Sequence, residues 1–102
     1  MTTYQLNGTL VTPTVTTTPA RLDMPRGCTG VIIVNPSTAN TLYVHLVPQG
    51  ATAPSAAEVL RGLRVYPNSQ ISLSILNEVP YGCDIYVSMS ASTQQINAYG
   101  VI

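Results

Sequence analysis

The side chains able to do chemistry are few and scattered along the chain. His45 is the only histidine, so neither a histidine-based metal site nor a nucleophile relay with a choice of base is available. The carboxylates Asp23, Glu58, Glu78 and Asp84 lie in different segments. No pair has the local spacing that would hold two acids on one substrate bond. Cys28 and Cys83 lack the CxxC spacing of zinc and redox sites. Gly27 and Gly30 fall outside any GxGxxG or GxxxxGK pattern opening a helix, so they read as turn residues rather than a phosphate cradle. The sequence therefore points away from an enzyme, and no metal or cofactor is expected.

What remains is the chemistry of recognition. Tyrosine joins a large apolar body to a hydroxyl tip, a combination enriched where proteins meet. Tyr43, His45, Tyr86 and Tyr99 fall at outward positions of expected strands. With Tyr4 and Leu6 near the N-terminus, they form the candidate protein-interface set. The alternative is that the strand residues cover the second face of a sheet beneath a loop.

These residues must be positioned by a chain of 102 amino acids with 8% charged residues, a formal net charge of +0 and no lysine. That length suits one domain with a core of its own. Soluble domains ordinarily carry about 25% charged residues. Arg21, Arg26, Arg61 and Arg64 are too few and too dispersed for nucleic acid, where clustered cations supply most of the affinity. Near-zero net charge also leaves a free monomer little protection from self-association, so a homo-oligomer or a permanent partner is expected. No apolar run approaches the ~20 residues of a membrane span, and the polar opening Met1-Thr2-Thr3 does not resemble a signal peptide. The expectation is a protein made in the cytosol with reduced, mostly buried thiols at Cys28 and Cys83.

Periodicity predicts an all-β fold. Residues 1–10 read as an N-terminal arm or a first edge strand, and 11–102 as a β-sandwich domain. Pro13 to Pro19, PTVTTTP, belongs at a sheet edge because proline cannot donate to a ladder. Ala20, Leu22 and Met24 alternate with Arg21, Asp23 and Pro25. Val31-Ile32-Ile33-Val34 is apolar at every position, which predicts cover on both faces. In the next strand Leu42, Val44 and Leu46 face inward and Thr41, Tyr43, His45 and Val47 outward, with the two strands joined as an antiparallel hairpin through Asn35 to Asn40.

Ser55 as N-cap with Glu58 three residues on predicts one short helical turn near 55–60. Leu63 to Val65, Ile71 to Ile75, Cys83 to Met89 and Gln94 to Ile102 supply the remaining strands. Seven or eight strands at regular turn spacing predict a single-domain antiparallel sandwich, jelly-roll-like in character. The expected inward set is Ile33, Leu42, Val44, Leu46, Ile71, Leu73, Ile75, Ile85 and Val87.

Three stretches, TTTPARLDMPRGCTGVIIVNPSTANTLYVHLVP, LRVYPNSQISLSI and IYVSMSASTQQINAYGVI, together resemble accessory virion proteins of tailed bacteriophages, in particular capsid decoration or cement proteins. The shared pattern is an arginine-bearing entry, an IVNPS turn, an L-x-V-x-P-x-x-x-I-S-L passage and an IYVxxS strand. The resemblance implies a β-sandwich on the exterior of the virion capsid, bound to the major capsid protein and bridging its subunits as a dimer or trimer. It brings no residue-level site with it. A carbohydrate- or receptor-binding module of a fibre or tail, with the tyrosines as stacking platforms, is the alternative expectation, followed by a neck or tail connector subunit.

Overall fold

The computed structural model of the protein describes residues 9–22, 30–48, 50–59, 61–74 and 83–101. Tyr4, Leu6, Cys28 and Ile75 lie outside these residues. Ten strand segments and one helical turn are present: β1 Thr9–Val11, β2 Thr14–Val15, β3 Ala20–Arg21, β4 Gly30–Asn35, β5 Leu42–Pro48, α1 Ala56–Val59, β6 Leu63–Val65, β7 Ser69–Ser74, β8 Cys83–Met89, β9 Gln94–Gln95 and β10 Asn97–Val101.

Strand pairing is nested. β1 pairs with β10, β2 with β9, β3 with β8, β4 with β7 and β5 with β6, all antiparallel. The chain is thus one long ribbon, open at β1·β10 and closed at β5·β6. Two further antiparallel pairings, β10·β4 and β5·β8, wrap that ribbon on itself. The product is sheet I, in the order β1-β10-β4-β7, facing sheet II, in the order β3-β8-β5-β6. With the short β2·β9 pair counted as the corner between them, this is the eight-strand, two-sheet wrapping of a jelly roll.

The corners fall where the sequence interrupts its ladders. Pro13 precedes β2 and Pro19 precedes β3, so the first ribbon strand changes sheet in two proline-marked steps. Backbone bonds from Ile96 N to Pro13 O (3.0 Å), Met89 N to Thr16 O (2.8 Å) and Leu22 N to Ile85 O (2.7 Å) carry the pairing through these corners. The expected edge position of PTVTTTP is therefore found. The final strand divides into β9 and β10, with Ser92 at φ 62° in the preceding turn.

The core fills the space between the sheets. Val31, Ile33 and Ala98 from sheet I meet Leu42, Val44, Val65, Ile85, Val87 and Met89 from sheet II, with Val15, Leu22 and Ile96 closing the side. Fully burying each such aliphatic side chain is worth roughly 1.5–3 kcal/mol, so the core has no need of Trp or Phe. Leu46, Ile71 and Leu73 are only partly buried against it. They sit toward strand ends or on the edge strand β7, where the opposing layer covers less.

One expectation is overturned. β4 and β5 do not form a hairpin: β4 bonds to β10 and β7, and β5 to β8 and β6. Residues 36–41 carry the chain from one sheet to the other. Asn35 makes that crossover. Its buried Nδ2 donates to Asn40 O (2.8 Å) and to Val65 O in β6 (2.9 Å), while its Oδ1 accepts from Ser37 N (3.1 Å). Ser37 Oγ accepts in turn from Asn40 N at 2.9 Å. A hairpin would require the 35–41 backbone to pair with itself. Here one amide side chain takes up those polar groups and ties sheet I to the end of β6.

Candidate functional site

Cross-strand register decides which outward residues can act together. On the outer face of sheet II, Tyr43 lies opposite Ser88 on one side and Arg64 on the other, and His45 lies opposite Tyr86, which lies opposite Arg21. Directly paired residues share a face, so Arg21, Tyr86 and His45 make one row and Ser88, Tyr43 and Arg64 the next. The Arg64 guanidinium carbon is 6.0 Å from the Tyr43 ring centroid, at the limit of a cation–π contact. Tyr43, His45 and Tyr86 are each half-buried.

Their partial cover comes from the segment between β5 and β6. Gly50, at φ 78°, turns the chain, and its N–H donates to Asp84 Oδ2 at 3.1 Å. Positive φ is what suits this position to glycine. Pro54 is buried, and α1 packs against β5 and β8. The capping box expected from Ser55 and Glu58 is formed: Glu58 N donates to Ser55 Oγ (3.2 Å) and Ser55 N donates to Glu58 Oε1 (3.2 Å). Hydrogen bonds to it from the Ser55 backbone N–H and the Ser55 hydroxyl hold the Glu58 carboxyl below its usual range, with burial opposing and the charges of His45 and Arg61 adding to the lowering. At Gly62 a Cβ would collide with the Val44 carbonyl and come within 3.1 Å of His45 Nδ1. Glycine thus lets the returning chain lie directly on the sheet.

Sheet I presents a different surface. Tyr99 lies between Leu10 of β1 and Ile32 of β4, and Ile32 lies opposite Ser72 of β7. Leu10 is 48% and Tyr99 43% exposed, while Ile32 and Val34 are half-buried on the same face. The cover expected on both faces of β4 is present on one only: Val31 and Ile33 point into the core, and no described element lies over Ile32 and Val34.

The structure therefore brings Tyr43, His45 and Tyr86 together and separates Tyr99 from them by the thickness of the sandwich. Tyr4 and Leu6 lie outside the described residues. Sequence reasoning missed Leu10 and Ile32 as neighbours of Tyr99, and Arg21 and Arg64 as neighbours of the sheet II tyrosines. Period-2 alternation gives each residue's face, but only the pairing register gives its neighbour.

Among the described residues no group of three or more His, Cys, Asp or Glu is placed to hold a metal ion, and no helix is long and apolar enough to cross a membrane. The two outer faces carry aromatic bodies and amide and hydroxyl groups, and on sheet II a few charges. Comparison with family models, with curated proteins and with solved structures returned no match.

Proposed function

We propose that this protein is a structural virion component of a tailed bacteriophage that binds the outside of an assembled capsid and bridges neighbouring subunits. The observation that supports this reading best is the wrapped ribbon of two four-stranded sheets. That architecture recurs in viral capsid and lectin domains, although a fold by itself does not dictate a function. The surface agrees with a life in permanent contact. With 8% charged residues and net charge +0, it has little of the self-repulsion that keeps a free small domain dispersed.

Action would follow mass balance: a protein that binds only the assembled shell stabilises it in proportion to occupancy and affinity. Residues 1–8 precede β1, which is an edge strand of sheet I, and an N-terminal extension at an edge is suited to adding a strand to a neighbouring subunit. Co-sedimentation of the purified protein with empty capsids tests the reading. Binding is expected for the full chain and is expected to be lost on deleting residues 1–7, which leaves β1 intact. Retained binding after that deletion would remove the arm from the mechanism. Failure of the full chain to bind, together with selective glycan binding through Tyr43 and Tyr86, would replace the capsid reading with the lectin-like one.

A further inference from the structure

The described charges are not spread over the molecule. Arg21, Arg64 and Asp84 lie on sheet II, and Glu58 and Arg61 belong to the segment folded over it, beside His45. The four strands of sheet I carry no charged residue at all. Their outer face instead bears the cross-strand row Leu10, Tyr99, Ile32 and Ser72, with Val34 next to Ile32. Among the described residues, two of the four exposed large hydrophobic ones, Leu10 and Tyr99, are direct neighbours in that row.

A solvated face of an antiparallel sheet normally reads polar against an apolar inner face. β4 does not, since it is apolar on both sides from Val31 to Val34. Interface cores, by contrast, are depleted in charge and enriched in aromatic side chains.

We propose that the outer face of sheet I is the contact surface for a second copy of this chain, packed sheet on sheet about a two-fold axis near Tyr99 and Ile32. Charge complementarity selects this occupant. In an isologous contact every residue meets the same surface, and like charges brought face to face oppose association. The described strands of sheet I bring no charge to such a contact. A charged partner, by contrast, would bury its charges against strands that offer no counter-charge among the described residues, which is costly. Two twisted sheets stack about 10 Å apart with strand directions within about 30°. Tyr99 supplies the large apolar area at the centre, and the Asn97, Gln70 and Ser72 side chains offer polar groups around it.

The dimer would leave both sheet II faces pointing outward, each with Tyr43, Tyr86, Arg21 and Arg64 available to another partner. The inference extends the capsid reading but does not depend on it.

The test is the mass of the full chain in solution, by light scattering coupled to size exclusion and by sedimentation equilibrium, without capsids. The wild type is expected at twice 10.8 kDa at micromolar concentration. Tyr99→Glu and Leu10→Glu each place a like-charge pair at the contact and are expected to weaken association about tenfold or more, with circular dichroism unchanged. Tyr43→Glu, on the opposite face, is expected to remain dimeric. A wild type that is monomeric throughout that range overturns the proposal, including the case in which residues 1–8 of the same chain cover the face. So does an oligomer that Tyr43→Glu dissociates and Tyr99→Glu does not. A dimer that fails to bind shells overturns the capsid reading alone; a monomer that binds them overturns this inference alone.

Discussion

At the scale of single residues, Asn35 has the most specific task. It is fully buried, and its amide serves three backbone groups, Asn40 O and Ser37 N in the 36–41 crossover and Val65 O in a strand of the other sheet. Only an amide supplies both the donors and the acceptor at this geometry. Asn35→Asp would turn the donor into a carboxylate facing two carbonyl oxygens, and the expected cost at neutral pH is about 3 kcal/mol or more. Burial raises the pKa of such a carboxyl above its unfolded value. The folded form then binds more protons, and the deficit relative to wild type grows as pH rises from about 4. Urea midpoints of the two proteins at pH 4 and pH 7 check this. A deficit independent of pH would mean that the side chain leaves the site rather than staying buried.

At the scale of elements, the cover of sheet II depends on a short segment held by its ends. Four residues of helix have little stability of their own, so α1 relies on the Ser55–Glu58 box, the Gly50 bond to Asp84 and the close approach at Gly62. Gly62→Ala should destabilise the protein by about 1–3 kcal/mol, because the Val44 carbonyl it meets belongs to the central strand β5 and cannot yield cheaply. Chemical denaturation measures the loss. For Glu58, the folded pKa is depressed, so its contribution is present above the ordinary carboxylate range and disappears as pH falls through the folded value. Protection of the Ser55 amide against hydrogen exchange, taken relative to its intrinsic rate at each pH, should therefore fall on acidification. In Glu58→Gln that loss of protection should be absent; if it persists, another group controls the segment.

At the scale of the whole molecule, the nested pairing joins the two ends of the chain. β1 lies against β10, and β10 lies between β1 and β4, so sheet I is completed only when the first and last of the described strands meet. Contacts this far apart in sequence close large loops before any pairing energy is returned, which slows folding. The same wrapping sorts the surface. Ribbon positions that land on sheet II bring the charges, and those that land on sheet I bring Leu10, Tyr99, Ile32 and Val34. A two-faced module follows, one face apolar and without charge in its described strands and the other carrying the described charges.

The sequence by itself determined the elements. Alternation at Leu42 to Val47 and Asp84 to Met89 placed the core-facing Leu42, Val44, Ile85, Val87 and Met89 of β5 and β8, because a strand's period of two is a local property, although Ser88, at an outward position, is buried as well. The Ser55-x-x-Glu58 spacing placed the helical turn, because a capping box closes within four residues. The prolines at 13 and 19 marked the corners, because a missing N–H is visible in any context. Only the tertiary structure decided who pairs with whom. The apolar run at Val31 and the alternating one at Leu42 look like a hairpin, yet they part into opposite sheets, since Asn35 satisfies the intervening backbone and β4 pairs with β7 and β10 on its two sides instead. Register across those distant pairs is also what separates Tyr99 from Tyr43 and Tyr86 and sets it beside Leu10 and Ile32. Faces are written in local periodicity, but neighbours follow from pairing energies summed over the whole chain.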